Sequence, residues 1–197
     1  VYAQKTLSTV VIDAGHGGKD PGALGKICRE KDIVLDVALR LGKMINDSLP
    51  EVKTIYTRDK DVFVDLHKRA DIANNSGADL FISIHANWVK NPEIKGAETF
   101  VLGLHRSKEN LEVAQKENSV ITLEEDYTNN YEGFDPSQPE SYIIFELMQN
   151  RFLENSLLMA SKTQDEFVGL KRENRGVRQA GFLVLRQTSM PSVLVEL

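Results

Sequence analysis

Residues 10–32, VVIDAGHGGKDPGALGKICREKD, decide the reading of this chain. A short β-branched run closes on Ala14, a glycine-rich turn carries His16, and Glu30 follows where helical spacing begins. Far downstream DLFISIHAN, residues 79–87, ends a second apolar run on His85. Two histidines and a carboxylate delivered from the ends of separate elements match what a catalytic zinc site requires. Such sites use three protein ligands and keep a fourth position for water, whose pKa the metal lowers to about 7.

Working outward, the pattern alternates strands and helices. Residues 8–14, 52–57, 79–84, 97–102, 181–186 (GFLVLR) and 192–196 (SVLVE) read as strands. Ile33, Val34, Val37, Leu41, Met44 and Ile45 recur at helical spacing across 31–46. A second helix spans 66–75 with Leu66, Ala70 and Ala73 on one face and Gly77 as its stop. A long helix is expected over 141–167, burying Ile144, Leu147, Phe152 and Leu158. The fold class that follows is α/β: a single domain, 1–197, built on a mixed, mostly parallel twisted sheet of about six strands with helices on both faces. In such folds ligands gather at the carboxyl ends of strands, the address shared by His16, His85 and Glu196.

One segment differs in character. Residues 104–140 hold nine acidic residues against three basic ones, which puts the chain's whole negative balance there. Its first half, 108–121, reads as helix and its second half as loop, rich in Asn, Gly and Pro. The remainder is ordinary for a globular protein, with 41% hydrophobic and 27% charged residues. A net charge of −5 gives nucleic acid or an anionic membrane nothing basic to bind, and no apolar run nears the roughly 20 residues of a membrane span. Cys28 stands alone, so no internal disulfide forms. Val1-Tyr2-Ala3-Gln4 reads equally as the end of a secretory signal or as a plain leader.

Each candidate has a plainer reading when taken alone. His16 and His85 could merely cap the sheet edge, Glu30 could serve only the helix dipole, and Glu196 could be a surface carboxylate. Taken together they supply a ligand set, with Glu196 as the general base that hydrolysis by an activated water needs. His67, in the charged run DLHKRAD, and His105, in the acidic segment, are expected to be solvated and not ligands.

The chain resembles the zinc-dependent type-3 N-acetylmuramoyl-L-alanine amidases of bacterial cell walls. The resemblance runs through VIDAGHGGKDPGA, REKD, YTRD (56–59), ADLFISIHAN, GAETFVLG (96–103) and NRGVRQAGFLVLRQTSMPSVLVEL (174–197), in order and over nearly the whole chain. It implies that His16, Glu30 and His85 bind one zinc ion, and that Glu196 is the catalytic carboxylate for cleaving the lactyl amide of N-acetylmuramic acid from L-alanine. Arg58 and Asn87 are its candidates for substrate contact or ligand support. It further implies a periplasmic or extracellular location and, in division amidases, a helix inserted where the acidic segment lies. That helix gives zinc an extra glutamate and is displaced by an activating protein partner. By position the glutamate is Glu117, with Glu124 and Glu125 in reserve; a solvated acidic helix is the alternative. Family members continue past the last glutamate with a Gly-Phe turn, a Ser-Asn pair and a helix, whereas this sequence stops at Leu197, so reduced stability or activity is expected. The rival readings are a zinc peptidase or small-molecule amidohydrolase, and a non-catalytic peptidoglycan-binding module.

Overall fold

The computed structural model describes residues 6–87, 93, 95–105, 107–147 and 151–197. The leader residues Val1–Gln4 lie outside the described residues. Six strands, β1 (Thr9–Ala14), β2 (Lys53–Tyr56), β3 (Leu80–His85), β4 (Ala97–Leu102), β5 (Asn174–Ala180) and β6 (Ser192–Glu196), form one sheet in the order β2-β1-β3-β6-β4-β5. Every neighbouring pair is parallel except β4 with β6. The sheet is therefore mixed and mostly parallel, and its middle strands are apolar on both faces because helices cover both.

Alternation along the strands divides the core. Val10, Ile12, Ile82, Ile84, Val193 and Val195 face the helices α1 (Glu30–Ser48) and α6 (Leu153–Gly169). Val11, Phe81, Phe100 and Leu194 face α2 (Leu66–Asn75), the short helix α7 (Leu183–Arg186) and the segment between β4 and α6. That segment contributes α3 (Lys108–Asn118), α4 (Tyr127–Asn130) and α5 (Ile144–Leu147), and it buries Ile121, Tyr131, Phe134, Tyr142 and Phe145. It is thus packed into the second core cluster and is not merely a solvated acidic loop.

Three sequence expectations are corrected. GFLVLR is not a strand: Phe182 leads into α7, whose Leu183, Val184 and Leu185 are buried as a helical turn. The fifth strand is the polar NRGVRQA, an edge strand with one fully buried residue, Ala180, which gives it no hydrophobic signature. The single helix expected over 141–167 is broken into a 3₁₀ turn at 139–143, α5 and α6. Leu158 is exposed, as is Ile144, and α6 instead packs by Ser156, Ala160 and Gln164, small or polar residues that let it sit close on the sheet. In α1 the buried seam is Val34, Ala38 and Gly42, while Ile33 and Met44 are exposed. Among the described residues no helix is long and apolar enough to cross a membrane.

Candidate metal centre

His16 follows β1 in a turn that bends sharply; its own φ is +61°, a left-handed conformation that a non-glycine residue adopts only when its surroundings hold it. Two buried arginines provide that hold. Arg69 donates to the carbonyls of Ala14 and His16 at 2.8 Å each and pairs with Asp13 at 2.8 Å. Arg58 donates to the carbonyls of Ala14, Gly15, Lys31 and Lys60. The donors of Arg58 are thus committed to backbone, which makes it a brace for the turn and for the start of α1.

The turn brings His16 to Glu30, the first residue of α1, and to His85, the last of β3. Glu30 is fixed through both oxygens, Oε1 accepting from the Ala86 N–H at 2.9 Å and Oε2 from the Ala23 N–H at 2.8 Å. His85 packs against Gly15, where any Cβ would lie 2.5 Å from the imidazole, so only glycine admits the ring. Glu117, the penultimate residue of α3, reaches in from the inserted segment. His16 Nε2 lies 3.1 Å from Glu30 Oε1 and 3.3 Å from Glu117 Oε2; His85 Nδ1 lies 3.5 Å and 3.0 Å from the same two oxygens.

These four atoms lie within 4.8 Å of one another, and all four residues are buried. His16 Nε2, His85 Nδ1 and Glu117 Oε2 have no hydrogen-bond partner. Ligands about 2.0–2.1 Å from a tetrahedral zinc stand about 3.3–3.4 Å apart, the spacing found here. Electrostatics make the same demand. Burial works against charge on both imidazoles, yet Asp20, Glu117 and Glu30 push His16 up to about 12, and Glu117 and Glu30 push His85 up to about 9. Carboxylates that draw protons so strongly onto buried imidazoles make a site short of positive charge, which a divalent cation supplies.

Glu196 ends β6, in register with His85 on β3 and Glu98 on β4. It is 2% exposed, and neither carboxylate oxygen has a hydrogen-bond partner. Burial, with the nearby charges of Glu117 and Glu30, pushes its carboxyl up to about 8.

The structure thus brings His16, Glu30, His85 and Glu117 together with Glu196 at the sheet's edge. Asn87 is peripheral, its Oδ1 3.5 Å from Lys116 Nζ, which also lies 3.1 Å from Glu117 Oε1. Glu124 points elsewhere: it accepts from the Leu66 N–H and the Tyr131 hydroxyl at 2.7 Å each, capping α2 from a distance. Glu125 is exposed. His67 is not free in solvent; its Nδ1 is 3.4 Å from Tyr131 Oη. His105 stacks edge-on to Tyr142.

Sequence reasoning missed Asp20, whose Oδ2 lies 2.7 Å from His16 Nδ1 and leaves Nε2 as the ligand atom. A carboxylate on the distal nitrogen is the usual support of a metal-bound imidazole, and a spacing of four residues inside a turn signalled it.

A layered α/β domain in which two histidines and two carboxylates converge beside a further buried carboxylate, Glu196, has the arrangement that a metal-dependent hydrolase would use. Comparison with known proteins gives the family. The family model described as N-acetylmuramoyl-L-alanine amidase matches residues 10–197, and the chain belongs to that family. AmiA of Escherichia coli strain K12, an N-acetylmuramoyl-L-alanine amidase, is 34% identical over 191 residues, covering 95% of this chain. This chain spans 64% of that relative's length. An N-acetylmuramoyl-L-alanine amidase from Clostridium difficile 630 superposes with a TM-score of 0.66 at 26% identity, covering 98% of this chain and 80% of its own. The CwlD amidase of Clostridioides difficile, solved in complex with the GerS lipoprotein, matches with a TM-score of 0.55 at 25% identity, over 96% of this chain and 81% of that one.

Proposed function

We propose that residues 1–197 are one catalytic domain that hydrolyses the amide between the lactyl group of N-acetylmuramic acid and L-alanine in bacterial peptidoglycan, in the periplasm or outside the cell. The observation that carries this reading is the spacing of the four ligand atoms beside a buried, unpaired Glu196. His16, Glu30 and His85 would hold zinc, which when bound supplies the Lewis acidity that polarises a carbonyl and acidifies water. Glu196 takes the proton of the attacking water and passes it to the departing amine of L-alanine as the carbon–nitrogen bond breaks. Asp20 keeps His16 in the right tautomer, and Arg58 and Arg69 keep the turn in place.

The acidic segment at about 104–140 is read as an autoinhibitory insert. Glu117 Oε2, 3.3 Å from His16 Nε2 and 3.0 Å from His85 Nδ1, stands where a substrate oxygen or water would enter. An activating protein partner would have to lift α3; the lipoprotein bound to one structural relative is consistent with such control.

The test is the release of stem peptides from purified peptidoglycan, followed by mass spectrometry. Zinc-dependent peptides beginning at L-alanine are expected, lost in Glu196→Ala and increased in Glu117→Ala. Products cut within the peptide would overturn the assigned bond, and an unchanged rate in a folded, zinc-loaded Glu117→Ala protein would remove the inhibitory role.

A further inference from the structure

A cavity beside Glu196, bounded in part by Leu197, carries Lys95, Glu98, Arg172 and Arg175 among its walls. Glu98 lies opposite Glu196 across the antiparallel β4–β6 pair. Arg178 Nε is 2.8 Å from Glu98 Oε2, and Arg175 Nε is 3.5 Å from the same oxygen. Residues three apart face opposite sides of a regular strand. Here the pairing slips between Ala97–Asn174 and Thr99–Val177, and Gly176 takes a φ of +90°. This bulge turns both guanidiniums toward Glu98, a re-aiming of side chains that recurs beside active sites.

Two cations therefore share one buried carboxylate, whose Oε2 has no hydrogen-bond partner although Arg178 Nε is the nearer of the two. The shorter contact of Arg175 is with Glu109 in the first turn of α3, Nη2 donating to Oε1 at 3.0 Å. Glu109 is itself largely exposed, its side chain 60% accessible, and it sits on α3, the helix read above as the one an activating partner lifts. Once α3 lifts, Arg175 keeps only its longer contact and faces the cavity with Lys95 and Arg172, in a chain whose net charge is −5. Glu196 protonates the amine that begins the departing peptide, so the peptide extends from Glu196 along this cavity. A guanidinium fork there matches a carboxylate in shape and charge.

We infer that Arg175 is the specificity-determining anchor for a carboxylate on the peptide leaving group, and that Glu109 occupies it in the closed protein. The inference rests on the amidase reading for the direction in which the peptide runs. α3 then closes the site twice, with Glu117 among the ligand atoms and Glu109 as a stand-in for the substrate's acid.

The test uses two probes, the dipeptide L-alanyl-L-glutamate and its diamide, titrated calorimetrically into the metal-free protein as wild type, Arg175→Gln, Arg175→Lys and Glu109→Gln. The acidic dipeptide is expected to bind Glu109→Gln more tightly than wild type and Arg175→Gln about tenfold or more weakly, with Arg175→Lys in between and the diamide weak throughout. Equal affinity of Arg175→Gln and wild type, equal binding of the two probes, or no binding to Glu109→Gln would overturn it. Arg175→Lys, which keeps the charge, separates loss of the anchor from loss of the fold. Hydrolysis of N-acetylmuramoyl dipeptides is scored separately. Cleavage with an unchanged preference for acid over amide in Arg175→Gln sinks the anchor and spares the amidase reading, whereas dipeptide binding without any cleavage does the reverse.

Discussion

Asp20→Ala is expected to weaken zinc binding by 10–100-fold without unfolding the domain. Asp20 Oδ2 lies 2.7 Å from His16 Nδ1, and Oδ1 accepts from the Gly22 N–H at 3.0 Å. Truncation removes both bonds, but the backbone bridge remains, Gly17 N–H to Asp20 O at 2.9 Å and Asp20 N–H to Gly17 O at 3.1 Å. The turn therefore survives while His16 loses the carboxylate that fixes its tautomer and raises its basicity. Removing such a support costs 10–100-fold in metal affinity, equivalent to about 1.4–2.7 kcal/mol. Asp20→Asn should fall between the two, because its amide oxygen can still accept from Nδ1–H without the charge. The assay is competition for zinc against a chromogenic chelator at fixed pH, with circular dichroism as the control for folding. Affinity within about twofold of wild type in a folded Asp20→Ala protein would show that the turn alone orients His16, and the argument for Asp20 would fail.

Behind the ligands, Arg69→Met should strand the buried Asp13 carboxylate and cost about 3–5 kcal/mol in urea unfolding; a loss under 1 kcal/mol would count against the brace. Burial pushes the Asp13 carboxyl up, but the Arg69 charge and hydrogen bonds from Ser83 and Thr57 outweigh it and hold it below its ordinary 3.8. A depressed carboxylate stabilises the fold above its unfolded pKa and loses that contribution as pH falls through the folded value. Urea midpoints at pH 7 and below pH 3.8 should therefore fall more steeply for wild type than for Asp13→Asn, and parallel slopes would refute the assignment. Asn118 donates to Gly181 O at 2.7 Å and Tyr142 Oη at 3.2 Å and accepts from the Leu183 N–H at 2.9 Å. Asn118→Ala should cost about 1–3 kcal/mol for each buried group it strands and speed amide exchange in α3; exchange at the wild-type rate would mean Glu117 is positioned by other contacts.

Much of the frame was legible because its signals are local. Four apolar strands, β1, β3, β4 and β6, announce themselves by β-branched runs, and α1 and α2 by their spacing. β5 was not legible, since an edge strand reading NRGVRQA buries little, while the apolar LVL that looked like a strand is a helical turn wedged between α2 and the sheet. The 3₁₀ turn at 139–143 and the turn at 151–152 have no local signal, because the residues around them are as apolar as those of α6.

By itself the sequence determined which residues could carry the chemistry. His16, Glu30, His85 and Glu196 stand at element boundaries, and strand ends in a mostly parallel sheet converge on one edge. The tertiary structure decided what touches what: it put Asp20 behind His16 and turned Arg58 to four backbone carbonyls, and of the glutamates that the family resemblance offered it set Glu117 beside the two histidines and Glu124 on α2. Local propensity fixes elements, but whether Glu117, 32 residues along the chain from His85 and 87 from Glu30, reaches the site depends on how Asn118, Ile121 and Tyr142 dock the whole segment, a long-range packing choice with no local code.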